Sequence, residues 1–109
     1  MGREGHLGEF EQMLLLAALR LGDDAYGVAL IKELEITVGR RVSRGSVYVT
    51  LDRLEEKGYV SSSLSPARAE RGGRPRRIVK VTPAGVAQLR RSKDALQALW
   101  EGVEILNAP

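Results

Sequence analysis

The segment Ser43 to Gly58, SRGSVYVTLDRLEEKG, and the two alternating runs that follow it constrain the fold more than any other part of the chain. Ser43 can cap a helix N-terminus and Gly58 can stop one, so the stretch between them suits a single helix. Val47, Leu51 and Leu54 recur at i, i+4 and i+7 and fall within roughly 60° of one another at about 100° per residue. The opposite side carries Gly45, Ser46, Val49, Arg53 and Glu56, mostly small or polar. A helix with one docking stripe and an outer face free of bulky apolar groups can enter a DNA major groove. Tyr59 to Ser65 and Arg76 to Thr82 alternate as antiparallel strands, with Val60, Ser62 and Leu64 on one side of the first and Val79 and Val81 on one side of the second. Pro66 to Pro75 is too long for a tight turn and makes a wing.

The flanks complete a winged helix-turn-helix with an added long C-terminal helix, a fold that is mainly α with a small β-hairpin. Phe10, Met13, Leu14, Ala17, Ala18 and Leu21 give a first helix from about Glu9 to Leu21, stopped by Gly22. Leu15, Leu16 and Leu19 widen its apolar surface beyond one stripe, which calls for more than one packing partner. Asp24 suits the N-cap of a second helix, Ala25 to Val38, with Tyr26, Leu30, Ile31, Leu34 and Val38 on one face and Gly39 at its end. Thr82-Pro83 opens a last helix running to about Leu106. Leu89, Leu96 and Val103 are seven apart in it, with Leu99 and Leu106 at the complementary positions and Ser92 interrupting the seam. At about 24 residues, roughly 36 Å, this helix overhangs a three-helix core, and a second subunit is the simpler cover for its seam. The expected division is a DNA-binding unit over 7–82 and a dimerisation helix over 83–109, in one compact body. The expected dimer contacts are Leu15, Leu16, Leu89, Leu96, Leu99, Trp100, Val103 and Leu106. Trp100 is either an interface or core aromatic or a stacking plate for a flat hydrophobic effector.

With 109 residues and no cysteine, the chain holds one domain and no disulfide or thiolate metal site. Its one histidine, His6, lies in the N-terminal tail. No carboxylate pair, nucleophile–base pair, phosphate loop or metal cluster stands at workable spacing, so neither catalysis nor a cofactor is expected. The longest apolar run, Met13 to Leu19, is too short to span a membrane and lacks a signal peptide's basic start, which points to the cytosol. Charge is segregated: Arg40 to Thr82 carries 11 Lys/Arg against 4 Asp/Glu, while the remainder is net acidic. Positive charge gathered on the third helix and hairpin points to a polyanion.

The order Leu7-Gly8-Glu9-Phe10-Glu11, Ala25-Tyr26-Gly27, Ser43-Arg44-Gly45-Ser46-Val47-Tyr48, Leu51-Asp52-Arg53-Leu54-Glu55, Gly72-Gly73-Arg74-Pro75-Arg76-Arg77 and Val81-Thr82-Pro83-Ala84-Gly85 resembles the PadR family of prokaryotic transcriptional regulators, in its short form with one C-terminal helix. The resemblance spans about Leu7 to Leu106. It implies a dimeric winged-helix DNA binder, usually a repressor, whose last helix packs on its partner. Ser43, Gly45, Ser46, Tyr48 and Thr50 match the family's recognition-helix segment, and Gly73, Arg74 and Pro75 match its wing. Arg44 and Val49 stand where the family commonly has proline, so base contacts do not carry over.

On double-stranded DNA, the hydroxyls of Ser43, Ser46, Tyr48 and Thr50 and the free N–H groups of the helix start suit phosphate oxygens. Ser43 can equally be a cap alone, and Tyr48 a half-buried packing residue. Arg44 adds a cation at the helix entry, and Val49 can meet a thymine methyl. Arg53 suits bidentate guanine readout or an i, i+3 pair with Glu56. Arg74, Arg76 and Arg77 can follow phosphates or enter a minor groove, with Pro75 stiffening the tip. The expectation is a repressor on an inverted-repeat operator, with or without a hydrophobic effector at the dimer interface. The alternative is a winged-helix module for protein–protein contact.

Overall fold

In the computed structural model, which describes residues 7–66 and 75–107, most helix ends lie where local chemistry puts them. Helix α1, Glu9–Leu21, begins where the Gly8 N–H donates to Glu11 Oε1 at 2.9 Å, and it ends at Gly22 with φ of 61°. Helix α2 spans Gly27–Val38, and Gly39 closes it in the left-handed region at φ 68°. Helix α3, Arg44–Glu56, is capped by Ser43, whose Oγ accepts from the Ser46 N–H at 3.1 Å. Strands β1, Val60–Leu64, and β2, Arg77–Val81, pair antiparallel in a register that sets Val60 opposite Val81, Ser62 opposite Val79 and Leu64 opposite Arg77. Helix α4, Pro83–Trp100, follows Thr82, and a 3₁₀ turn over Glu104–Asn107 ends the described chain. This is the expected mainly helical winged fold with a C-terminal helix.

Two boundaries differ from the expectation. The start of α2 is Gly27 rather than Ala25, and Asp24 sits in a 3₁₀ turn, Gly22–Asp24, instead of capping the helix. Ala25 and Tyr26 are taken by the sheet: the Val79 N–H donates to the Ala25 carbonyl at 2.9 Å, and Tyr26 bridges Ile78 antiparallel. Tyr26, extended at φ −120° and ψ 167°, therefore becomes the N-cap. The last helix stops at Trp100 and not near Leu106, because Glu101 turns extended and Gly102 adopts a φ of 79°. Its 18 residues make it about 27 Å long.

Helix α1 is the central strut, packed against α2, α3, β2 and α4. Leu14 and Leu15 from α1, Leu30 from α2, Val47, Leu51 and Leu54 from α3 and Val79 from β2 are fully buried. From α4 only Gly85 and Leu89 enter this core, so its second half projects beyond it. Close approach fixes residue type at Gly85, where a Cβ would lie 2.8 Å from Val81 Cγ1 and overlap the Tyr59 carbonyl oxygen.

Alanine at position 85 gains about 0.5–1 kcal/mol of helix propensity but meets backbone that cannot swing aside, an overpacking cost of about 1–3 kcal/mol. Gly85→Ala should therefore lower the urea midpoint with the slope unchanged, a net loss of about 1–2 kcal/mol. An unchanged or higher midpoint would show that α4 shifts freely on the hairpin.

Candidate nucleic-acid interface

The outer face of α3 consists of Arg44, Gly45, Ser46, Val49, Asp52, Arg53 and Glu56, all exposed, while Val47, Leu51 and Leu54 lie underneath. Val49, 55% exposed, is the one large apolar group on that face. Ser43 is engaged in both directions, accepting from the Ser46 N–H and donating to Ser46 Oγ at 2.9 Å, so the capping role is realised. Tyr48 is half-buried and packs on the core, its phenol lying over the first turn of α2, where a Cβ on Gly27 would overlap it. Thr50 faces inward at 7% exposure, which removes its hydroxyl from the outer surface. Its placement follows from the helical period, one step from Leu51 and three from Val47.

Arg53 does not pair with Glu56 among the described residues. It lies at the opposite edge, lining a notch with Lys57, Thr50 and the start of α1. There Lys57 Nζ meets Glu11 Oε2 at 2.9 Å. Burial alone pushes the Glu11 carboxyl up, but hydrogen bonds from the Gly8 N–H and Lys57, with the charges of Lys57 and Arg53, hold it below the ordinary 4.5. This pair fastens the end of α3 to the beginning of α1.

The wing residues divide. Gly73 and Arg74 lie outside the described residues, as does His6. Pro75 is exposed, and Arg76 stacks its guanidinium 4.0 Å from the centroid of the Tyr26 ring. Arg77, expected on the DNA side, is turned inward. Strand alternation puts it on the face of Val79 and Val81, and all three of its guanidinium nitrogens are engaged. Nη1 meets Asp52 Oδ1 at 3.0 Å, Nη2 meets Glu55 Oε1 at 2.8 Å, and Nε donates to Ser62 Oγ at 3.0 Å. The Ser62 hydroxyl in turn donates to Glu55 Oε1 at 2.7 Å. Hydrogen bonds from Ser62 and Arg77 hold the Glu55 carboxyl below its ordinary range.

The expected subunit contacts divide as well. Leu15 is fully buried in the chain's own core and Leu89 nearly so, because α1 and the start of α4 pack on the same interior. Leu15 has no surface left for a second subunit, whereas Leu89 still forms part of the floor of the groove between α1 and α4. Leu16, Leu96 and Trp100, with Leu19, Val86 and others, line an open apolar groove of about 530 Å³ between α1 and α4. Leu19, absent from the expected contacts, belongs there because it follows Leu16 by three residues on the same helix face. Leu99 is exposed, Val103 is half-buried past the helix end, and the Leu106 side chain lies outside the described residues.

Among the described residues there is no cluster of metal-ligating side chains, and no helix is long and apolar enough to cross a membrane. The model of the transcriptional regulator PadR-like family matches residues 15–91. Over 77 residues, 71% of this chain and 67% of the relative, the sequence is 39% identical to a transcriptional regulator of Mycobacterium tuberculosis. The fold is similar to a PadR family transcriptional regulator from Eggerthella lenta, with TM-score 0.68 and 28% identity over 90% of this chain and 85% of that one. It is equally similar to a putative transcriptional regulator from Thermoplasma acidophilum, with TM-score 0.68 and 26% identity over 89% and 91%.

A carboxyl with a folded pKa below its unfolded value contributes stability that is present above the unfolded value and lost as pH falls through the folded one. For Glu11 that loss begins as pH drops past about 4.5. Glu11→Gln should therefore destabilise the protein at pH 7 and flatten the acid limb of a stability–pH curve measured by urea unfolding. An acid limb of unchanged steepness would assign the acid sensitivity to other carboxyls.

Proposed function

The chain belongs to the PadR-like family of transcriptional regulators, DNA-binding proteins that control transcription, and from that premise we propose that it is a dimeric repressor of an inverted-repeat operator. The observation that carries the reading is the two-sided character of α3. Its inner stripe is fully buried, while Arg44, Gly45, Ser46, Val49 and Arg53 form an exposed face whose only large apolar group is one that can meet a thymine methyl. Arg44 and the N–H groups of the α3 start supply phosphate contacts, and Arg53, without a carboxylate partner on α3, supplies base or phosphate contact. Arg76 adds a cation at the root of the wing, and Arg74 adds another in the sequence just before it.

Two copies present two such faces when the partner's α4 fills the α1–α4 groove. Leu16, Leu96 and Trp100, the last 54% exposed, then lose their contact with water. A two-fold axis through that contact makes the operator an inverted repeat with half-sites on one face of the duplex. The same groove supports control by a hydrophobic aromatic effector that stacks on Trp100 and changes the separation of the recognition helices. The chain acts in the cytosol, where its duplex lies, and does no chemistry of its own.

Titrated against its own upstream DNA and an unrelated duplex of equal length over about 50–200 mM salt, the protein should prefer its own DNA at every salt. About six neutralised phosphates per dimer give a logarithmic slope near −5. Equal binding to both duplexes, erased by salt, would return the protein to a module that contacts other proteins. Leu96→Asp should yield a folded monomer by sedimentation equilibrium, with operator affinity reduced at least about a hundredfold as one half-site is lost. A dimer that survives this change would place the subunit contact away from the groove.

A further inference from the structure

The basic run at the end of the wing contains one arginine whose charge is already spent inside the protein. On the regulator reading given above, we propose that Arg77 is a positioning residue that locks the root of the wing to the recognition helix and so fixes the angle between the two surfaces that meet the duplex.

Its guanidinium joins three acceptors on two elements: Asp52 and Glu55 on α3, and Ser62 on β1. Ser62 closes a ring by donating to Glu55, and it lies in the register position opposite Val79, so both strands of the hairpin take part. At 26% side-chain exposure Arg77 is far more enclosed than Arg41, whose ion pair with Glu35 leaves it 90% exposed. The cluster of one guanidinium and two carboxylates carries a net charge of −1, so it cannot attract a phosphate. Arg77 instead offsets half of the negative charge that Asp52 and Glu55 place on the helix that must approach a polyanion. The next residue back, Arg76, stacks on Tyr26 at the start of α2, so consecutive arginines tie the wing to both helices of the helix-turn-helix. The guanidinium spreads its donors over three nitrogens, one each for Ser62, Asp52 and Glu55, whereas a lysine ammonium carries its donors on a single atom and cannot fill all three positions.

The decision comes from fluorescence anisotropy on the protein's own upstream duplex across salt, for wild type, Arg77→Gln, Arg77→Lys and the double variant Asp52→Asn, Glu55→Gln. Arg77→Gln should weaken binding about fivefold to tenfold at every salt and leave the salt slope at the wild-type value. Arg77→Lys should stay as weak as Arg77→Gln. The double variant should also bind more weakly, although it removes negative charge beside the DNA. Three results would each overturn the proposal: a slope reduced by about 1 per protomer in Arg77→Gln, the mark of a lost phosphate contact; recovery by lysine; or tighter binding by the double variant. If Arg77→Gln does not fold, Arg77→Lys and the double variant decide on the same criteria. Wild-type protein with no preference for its own DNA would sink the regulator reading and the clamp together, whereas wild-type preference with a reduced slope in Arg77→Gln removes the clamp alone.

Discussion

The geometry of the whole molecule depends on the junction at Thr82. Its hydroxyl oxygen accepts from the Gly85 N–H at 3.1 Å to cap α4 and donates to the Gly58 carbonyl at 2.6 Å, while its backbone N–H donates to the Tyr59 carbonyl at 3.0 Å. Three elements meet in those bonds: the C-terminal end of α3, the hairpin root and the start of α4. Each helix end leaves backbone groups that need partners, and here one side chain caps the beginning of α4 and also holds the Gly58 carbonyl just past the end of α3. Gly85 then lets the first turn of α4 rest on the Tyr59 carbonyl with no Cβ between. The direction of α4 is thereby set relative to α3, so in the proposed dimer a contact made through α4 would set the spacing of the two α3 helices.

What the sequence made legible was mostly local. Ser43, Gly39, Gly58 and Thr82-Pro83 act within four residues, and the structure places caps and stops at each. The buried trio Val47, Leu51 and Leu54 follows from helical period alone. Most misplaced features depend on partners distant in sequence, the end of α4 being the local exception. Asp24 has the chemistry of a cap, but Val79 recruits Ala25 into the sheet and moves the cap to Tyr26. A heptad seam carries through Val103 and Leu106 on paper, yet Gly102 turns left-handed after Glu101 has already left the helix. Leu15 widens the apolar surface of α1 because the chain itself surrounds that helix, without help from a second subunit.

Arg77 shows the same limit in electrostatics. A count of basic residues cannot see which are paired, and the segment rich in cations spends several of them internally: Arg40 on Glu9, Arg41 on Glu35, Lys57 on Glu11, Lys80 on Asp23 and Arg77 on Asp52 and Glu55. These pairs are not equal. An exposed pair is worth about 0–1 kcal/mol, so Arg41 and Lys80 can exchange their carboxylates for phosphates at little cost. Arg77 would have to abandon three acceptors at once and leave two carboxylates facing DNA. One sequence signal did point to it: at two residues before Val79 it falls on the inward face of β2, where the pleat aims side chains at the helices.

In the proposed function the groove between α1 and α4 links these constraints to regulation. Leu16, Leu19, Leu96 and Trp100 form a continuous apolar surface, and surfaces of that kind on a small domain mark places where something else packs. One end of α4 is fixed by Thr82 and Gly85, whereas its second half has no partner of its own in the core. Whatever fills the groove therefore acts on the free end of a lever whose fixed end touches the hairpin root and the end of α3. On the proposed reading, a change of occupant, subunit or small molecule, would move the lever against a junction already tied to α3. Control of DNA binding from the groove then requires no change inside the winged domain, only a change in the angle at which two such domains are held.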